Sequence, residues 1–179
     1  MEQELIARAK SGNSNAFDEL IKMHQEKVFR LAYRMLDNRD DALDVVQETF
    51  SRAYRSLKSF RGESSFKSWV TRIATNLCIS RYRRKRIFID IEEMFGLGKT
   101  PHWDMEIDAD VHRKALSKAM TTLTSRERAV FVLRMEEELT IEQTAQMLKI
   151  AGGTVKALLH RANEKMRKEL KRLLPDEEF

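Results

Sequence analysis

Proline is nearly absent from this chain. Of 179 residues only Pro101 and Pro175 are prolines, so the first hundred residues contain none. Proline ends helices by removing an amide donor and clashing with the preceding turn. Proline-free stretches with apolar residues every three or four positions therefore point to amphipathic helices. Phe17, Leu20, Ile21, Val28, Leu31 and Ala32 keep that spacing, and Ala42, Val45, Val46, Thr49, Phe50 and Ala53 keep it again. Trp69, Ile73, Asn76 and Leu77 line part of a third helix. No sustained apolar–polar alternation predicts a strand. Helix starts are marked as well. Asn38 precedes a helix with acidic residues early and basic ones late, Ser64 is placed to cap the third helix, and Thr124/Glu127 and Thr140/Gln143 form capping boxes.

The period stops near Arg86. Residues 87–110 contain Gly96, Gly98 and Pro101 and read as a linker. Helical spacing resumes near Val111. The expected architecture is all-α: two small helical domains, 1–86 and 111–179, joined by a flexible acidic linker, 87–110. Charge divides at the same places. The net +5 is the sum of +7 over residues 1–86, −6 over 87–110, +7 over 111–174 and −3 over the tail. Two basic blocks around an acidic strip suggest a polyanionic partner, although solvated helix surface has the same composition.

Several functions are disfavoured. Cys78 is the one cysteine, so no disulfide framework forms within the chain. His24, His102, His112, His160 and Cys78 lack metal-ligand spacing, and Cys78 reads as packed rather than redox-active. No cofactor motif and no nucleophile–base constellation stands out, so no enzyme is expected. The absence of an apolar signal segment or a long apolar run predicts a soluble, cytoplasmic protein.

The informative stretch is residues 140–170. Ile141, Ala145 and Leu148 fit a short helix. After a tight turn, Val155, Leu159, Ala162, Met166 and Leu170 fit the buried stripe of a longer one. Short helix, turn and longer basic helix make a helix-turn-helix, whose second helix enters the DNA major groove. Lys156, Ala157, His160 and Arg161 then face outward near its start, and Arg161 can donate two hydrogen bonds to a guanine edge. The paired Gly152 and Gly153 also raise a nucleotide phosphate loop. That motif needs a preceding strand and a Lys-Ser/Thr after its last glycine, whereas Gly153 is followed by Thr154 and Val155. A plain helical hairpin shares the apolar spacing. The turn itself favours glycine or asparagine, yet Lys149 occupies it.

The stretch Leu123–Leu170, with "GTVKALLHRA", resembles region 4 of an extracytoplasmic-function (ECF) sigma factor of the sigma-70 superfamily. The stretch from Asp41 to Arg86, with "DVVQETF" and "FRGESSFKSWVTRIATN", resembles region 2. The resemblance spans nearly the whole chain. It implies a promoter-specificity subunit that binds core RNA polymerase through its clamp and flap, recognises −10 and −35 promoter elements in duplex and non-template single-stranded DNA, and answers to an anti-sigma factor. By similarity, Asp44, Gln47 and Glu48 face the polymerase. Ser56, Phe60, Arg61, Phe66, Ile73, Asn76, Ser80, Arg83 and Arg84 belong to the −10 and strand-opening element, with Arg81, Lys85 and Arg86 as further phosphate contacts. A flipped base would need the apolar wall and polar edge-readers that such residues provide. Arg134, Lys156, His160 and Arg161 match −35 contacts, Ala157 lies among them, and Thr154 is placed to bond a phosphate at the helix entry. Three residues depart from the pattern: Leu158 replaces a usual arginine, Ala157 a frequent serine, and Leu43 an acidic residue beside Asp44. The acidic linker is expected to occupy a basic channel of the polymerase and, in the free protein, to fold over the basic domains, with a plain spacer as the alternative. Outside this family, a stand-alone helix-turn-helix regulator or a protein-binding helical adaptor is the alternative.

Overall fold

The computed structural model describes residues 1–94, 111–135 and 137–175, with side chains up to Ile87 in the first stretch. Every regular element among them is helical: α1 (Glu2–Lys10), α2 (Ser14–Leu36), α3 (Arg39–Ser56), a 3-10 turn at Leu57–Ser59, α4 (Phe66–Met94), α5 (Val111–Thr121), α6 (Ser125–Met135), α7 (Ile141–Leu148) and α8 (Gly152–Leu173). No helix described is long and apolar enough to cross a membrane. The chain divides into two compact units, Met1–Cys78 and Ile79–Phe179, so the division falls inside α4.

In the first unit α2 packs on α1 and α3. Leu20, Val28, Leu31 and Met35 are buried with Ala42, Val45, Phe50 and Ala53, largely the stripes read from spacing. Gly12, at φ 99°, makes the turn into α2, and Asn13 caps that helix by accepting from the Ala16 amide at 3.0 Å. Asn38 caps α3 as expected, accepting from Asp41 at 2.8 Å.

Helix α4 departs from expectation in three ways. Its cap is Ser65 rather than Ser64: the Ser65 hydroxyl accepts from the Ser68 amide at 3.1 Å. Its buried face carries Phe66, Val70, Ala74, Cys78 and Tyr82, with Thr71 and Thr75. Of the expected stripe only Trp69 is buried. Ile73 and Leu77 are half-buried, and Asn76 is exposed. The helix also continues to Met94, beyond Arg86. Residues 87–94 contain no glycine or proline, and the first breaker is Gly96. The rest of the acidic strip, including Trp103, Asp104, Glu106, Asp108 and Asp110, lies outside the described residues.

The second unit buries Ala119, Leu123, Ala129, Val132 and Leu133 with a cluster of Val130, Val155 and Leu158. Helix α8 packs on α5, α6 and α7. Tyr82 and Arg86 belong to this unit; both donate to the Leu123 carbonyl, at 3.3 and 3.1 Å. Arg86 is thus engaged at the α5–α6 turn. Buried Arg128 lies 5.0 Å from the Tyr82 ring centroid and donates to the Met120 carbonyl at 3.3 Å. Both capping boxes form. Glu127 accepts from the Thr124 amide at 2.9 Å, and Gln143 from the Thr140 amide at 2.8 Å.

Lys149 ends α7 in the left-handed region, at φ 53° and ψ 49°. A side chain is strained there where glycine is not. Lys149→Gly is expected to stabilise the protein by about 1 kcal/mol, read as a raised midpoint in denaturant unfolding.

Candidate nucleic-acid interface

Helix α8 starts at Gly152, with Ala151 as its cap residue. Its buried positions are Val155, Leu158, Ala162 and Met166. Leu158 as well as Leu159 fits the spacing from Val155; Leu158 is the buried one of the two, Leu159 is half-buried and packs against the same cluster, and Leu170 is half-buried. Leu158 is therefore a core residue, packed with Val130 and Val155. A long polar side chain there would start from the buried side of the helix. Thr154, Lys156, Ala157, His160 and Arg161 are all exposed on the first three turns.

The paired glycines separate by environment. A Cβ on Gly152 would meet Ile141 Cγ2 at 3.6 Å, an ordinary contact, whereas one on Gly153 would meet nothing within 4 Å. The protein's own packing demands a bare backbone at neither position. Gly153 is exposed and faces open space.

Two polar arrangements surround this surface. Arg134 donates to the Leu139 carbonyl and is half-buried, so part of its guanidinium holds the turn before α7. Lys156 and Arg134 lie near Glu142, which a backbone and a Thr140 hydrogen bond hold below the ordinary carboxylate range, with both cations adding to the effect. The second arrangement centres on Glu127, which is nearly buried. Its Oε2 accepts from Lys165 Nζ at 2.7 Å, and its Oε1 lies 3.7 Å from Arg161 Nε. Spacing marked Glu127 as a cap but could not show that its carboxylate also reaches α8.

In the first unit an aromatic cluster underlies the loop before α4. Phe60 and Trp69 ring centroids are 4.8 Å apart, Phe60 and Phe66 meet edge-on at 6.0 Å, and Phe66 and Trp69 are 5.7 Å apart. Phe66 is fully buried, making it the floor of the cluster. Ile73, Asn76 and Ser80 lie along α4 at i, i+3 and i+7, outside its buried face. Ser56 is half-buried and donates to the Arg52 carbonyl at 2.6 Å, while Arg61, Arg83 and Arg84 are exposed. Lys10 was not singled out by spacing. Its ammonium donates to the Phe60 carbonyl and sits 5.6 Å from that ring's centroid. Gly62, at φ 74°, provides the loop's left-handed residue.

On α3, Asp44 and Gln47 are exposed and Glu48 is half-buried. Glu48 pairs with Arg52 at 2.6 Å and lies 3.8 Å from Arg55. Leu43 is exposed beside Asp44. No group of His, Cys, Asp and Glu suited to a metal ion occurs among the described residues.

Two family models match the chain, Sigma-70 region 2 over residues 20–87 and Sigma-70, region 4 over residues 119–168. The chain is 33% identical to the ECF RNA polymerase sigma factor SigW of Bacillus subtilis (strain 168), over 97% of this chain and 98% of that one. It belongs to the ECF sigma factors of the sigma-70 family. It is also 32% identical to the RNA polymerase sigma-H factor of Pseudomonas aeruginosa, over 97% of this chain and 95% of the relative. Two solved structures share the fold. CnrH in complex with the cytosolic domain of CnrY matches with a TM-score of 0.68 at 24% identity, over 96% of this chain and 97% of that chain. The sigma factor RpoE in complex with the anti-sigma factor NepR from Bartonella quintana matches with a TM-score of 0.64 at 23% identity, over 90% and 98%. Region 4 thus contains α6, α7 and most of α8, and region 2 contains α3, the aromatic cluster and α4 as far as Ile87.

The Glu127 carboxylate gives this ECF sigma factor a pH dependence. Burial opposes its ionisation, but the hydrogen bonds from Lys165 and Thr124 outweigh burial and hold it below its ordinary 4.5. The carboxylate therefore adds stability above pH 4.5, and that contribution is lost as pH falls through the lower folded value. Acid unfolding followed by circular dichroism is expected to show a smaller loss over this range for Glu127→Gln than for the parent.

Proposed function

We propose that this sigma factor reads the −35 element with α8 and holds an extruded −10 base against the α4 face of region 2. The functional modules are residues 1–86 and 111–179, with 87–110 as the connection between them. The observation that carries the −35 reading is the exposed row Thr154, Lys156, Ala157, His160 and Arg161 opposite the buried stripe of α8. A recognition helix needs its polar residues at its N-terminal turns and its apolar ones against the supporting helices. Arg161 is the guanine reader, Lys156 and Thr154 contact phosphate, and Gly153 allows the DNA backbone to approach. Arg134 combines a hold on the α6–α7 turn with a phosphate contact.

In region 2, Phe60 is the aromatic wall for the extruded base, with Trp69 and Phe66 beneath it. Asn76, Ser80 and Ser56 read its edge, and Ile73 packs its ring. Arg61, Arg83 and Arg84 supply the salt-sensitive phosphate contacts. Asp44, Gln47 and Glu48 meet the polymerase. Glu48 can exchange its Arg52 partner for a polymerase cation, because exposed pairs on one helix are worth only about 0.3–0.5 kcal/mol. The chain acts in the cytoplasm with the polymerase and performs no catalysis of its own. An anti-sigma factor is its regulatory partner, as the NepR complex of RpoE is for that protein. A stand-alone regulator would leave the region 2 match without a role.

Transcription reconstituted with purified core polymerase tests the whole reading: the chain is expected to confer promoter-dependent initiation. Arg161→Ala is expected to relax base preference in the −35 element by about 1–3 kcal/mol at one position. Unchanged preference would remove Arg161 from the interface. Asn76→Ala is expected to slow open-complex formation about 3- to 10-fold, the worth of one or two hydrogen bonds, with duplex binding unchanged.

A further inference from the structure

Arg161 has a long, flexible side chain that is 60% exposed. Such a side chain loses rotamer freedom when it docks on a base edge, and a neighbour that restricts it beforehand reduces that cost. The structure supplies one. The Glu127 carboxylate is 5% exposed, fixed at one oxygen by Lys165 Nζ at 2.7 Å and by the Thr124 amide at 2.9 Å. Its second oxygen lies 3.7 Å from Arg161 Nε. The contact uses the Nε edge, whereas bidentate reading of guanine O6 and N7 can use the terminal Nη pair.

We propose that Glu127 is a specificity-determining positioning residue: its buried carboxylate, anchored by Lys165 and Thr124, holds the Nε edge of Arg161 and presents the guanidinium fork to a guanine of the −35 element. This rests on Arg161 being the base reader. A capping box needs only a Glu or Gln at this position. The carboxylate adds a net charge, which strengthens its attraction for a guanidinium neighbour. Lys165 anchors the carboxylate and leaves the fork of Arg161 to the DNA.

The test uses the full chain assembled with core polymerase and a pool of promoter duplexes randomised across the −35 segment. Enrichment is read base by base for the parent, Glu127→Gln, Arg161→Ala, the double variant and Lys165→Met, with thermal melting of each free protein alongside. Gln keeps the cap and removes the charge. Glu127→Gln is expected to flatten preference about 5- to 10-fold at the same position that Arg161→Ala flattens, and to add nothing there in the double variant. Lys165→Met removes one anchor of the carboxylate and is expected to flatten preference about 2- to 5-fold at that same position and nowhere else. A uniform loss across all sequences, or an unchanged profile, for Glu127→Gln would mean that Glu127 is only a cap and overturns the proposal. If Arg161→Ala flattens no position, the −35 reading of Arg161 fails first and the positioning role fails with it. If Glu127→Gln does not fold, Lys165→Met decides: flattening confined to the Arg161 position supports the proposal, and an unchanged profile or a uniform loss overturns it.

Discussion

The rotation of α8 about its own axis governs what the second unit can present. Val155 and Leu158 pack with Val130 of α6, while Ile141, Ala145, Leu148 and Ile150 close the cluster from the α7 side. Successive helical residues are about 100° apart, so turning α8 by one residue would carry Lys156 inward in place of Val155. Burying an unpaired ammonium costs far more than an apolar contact returns. The polar grip of Glu127 on Lys165 acts in the same sense, because it joins the start of α6 to the middle of α8. Packing against α6 therefore selects the outward row from Thr154 to Arg161, although none of those side chains forms part of the buried cluster.

A similar selection operates on α4. Phe66, Val70, Ala74 and Cys78 are buried on one side. That leaves Ile73, Asn76 and Ser80 aligned on another. The loop before α4 is held by an aromatic cluster, a left-handed glycine at 62 and a lysine from α1. Phe60 is itself buried in the free protein. Lys10 holds it there from α1, donating to its carbonyl and lying over its ring.

Much was legible in the primary sequence. Helical class, the stripes of α2 and α3, the Asn38 cap and both capping boxes follow from local rules, because each depends on residues within a turn or two of one another. The short helix, turn and basic helix of region 4 were legible for the same reason, and the order of the region 2 and region 4 motifs identified the family. Lys149 was already an unusual residue for its turn, and the structure places it at φ 53°.

Local rules stop where a choice depends on a distant partner. On α4 both Ile73 and Ala74 satisfy helical spacing, and the packing of the helix decided that Ala74 is buried. On α8 Leu158 and Leu159 are adjacent leucines; Leu158 is buried with Val130, some thirty positions away in sequence, while Leu159 packs half-buried against the same cluster. Lys10 reaches Phe60 and Lys165 reaches Glu127 only once the helices have packed. The sequence by itself determined that the chain is helical, where most helices begin, and which family it belongs to. Tertiary structure alone decided which face of each helix is covered, and so which polar residues remain at the surface. Burial is set by contacts between elements, and periodicity within one element cannot choose between two neighbouring apolar residues.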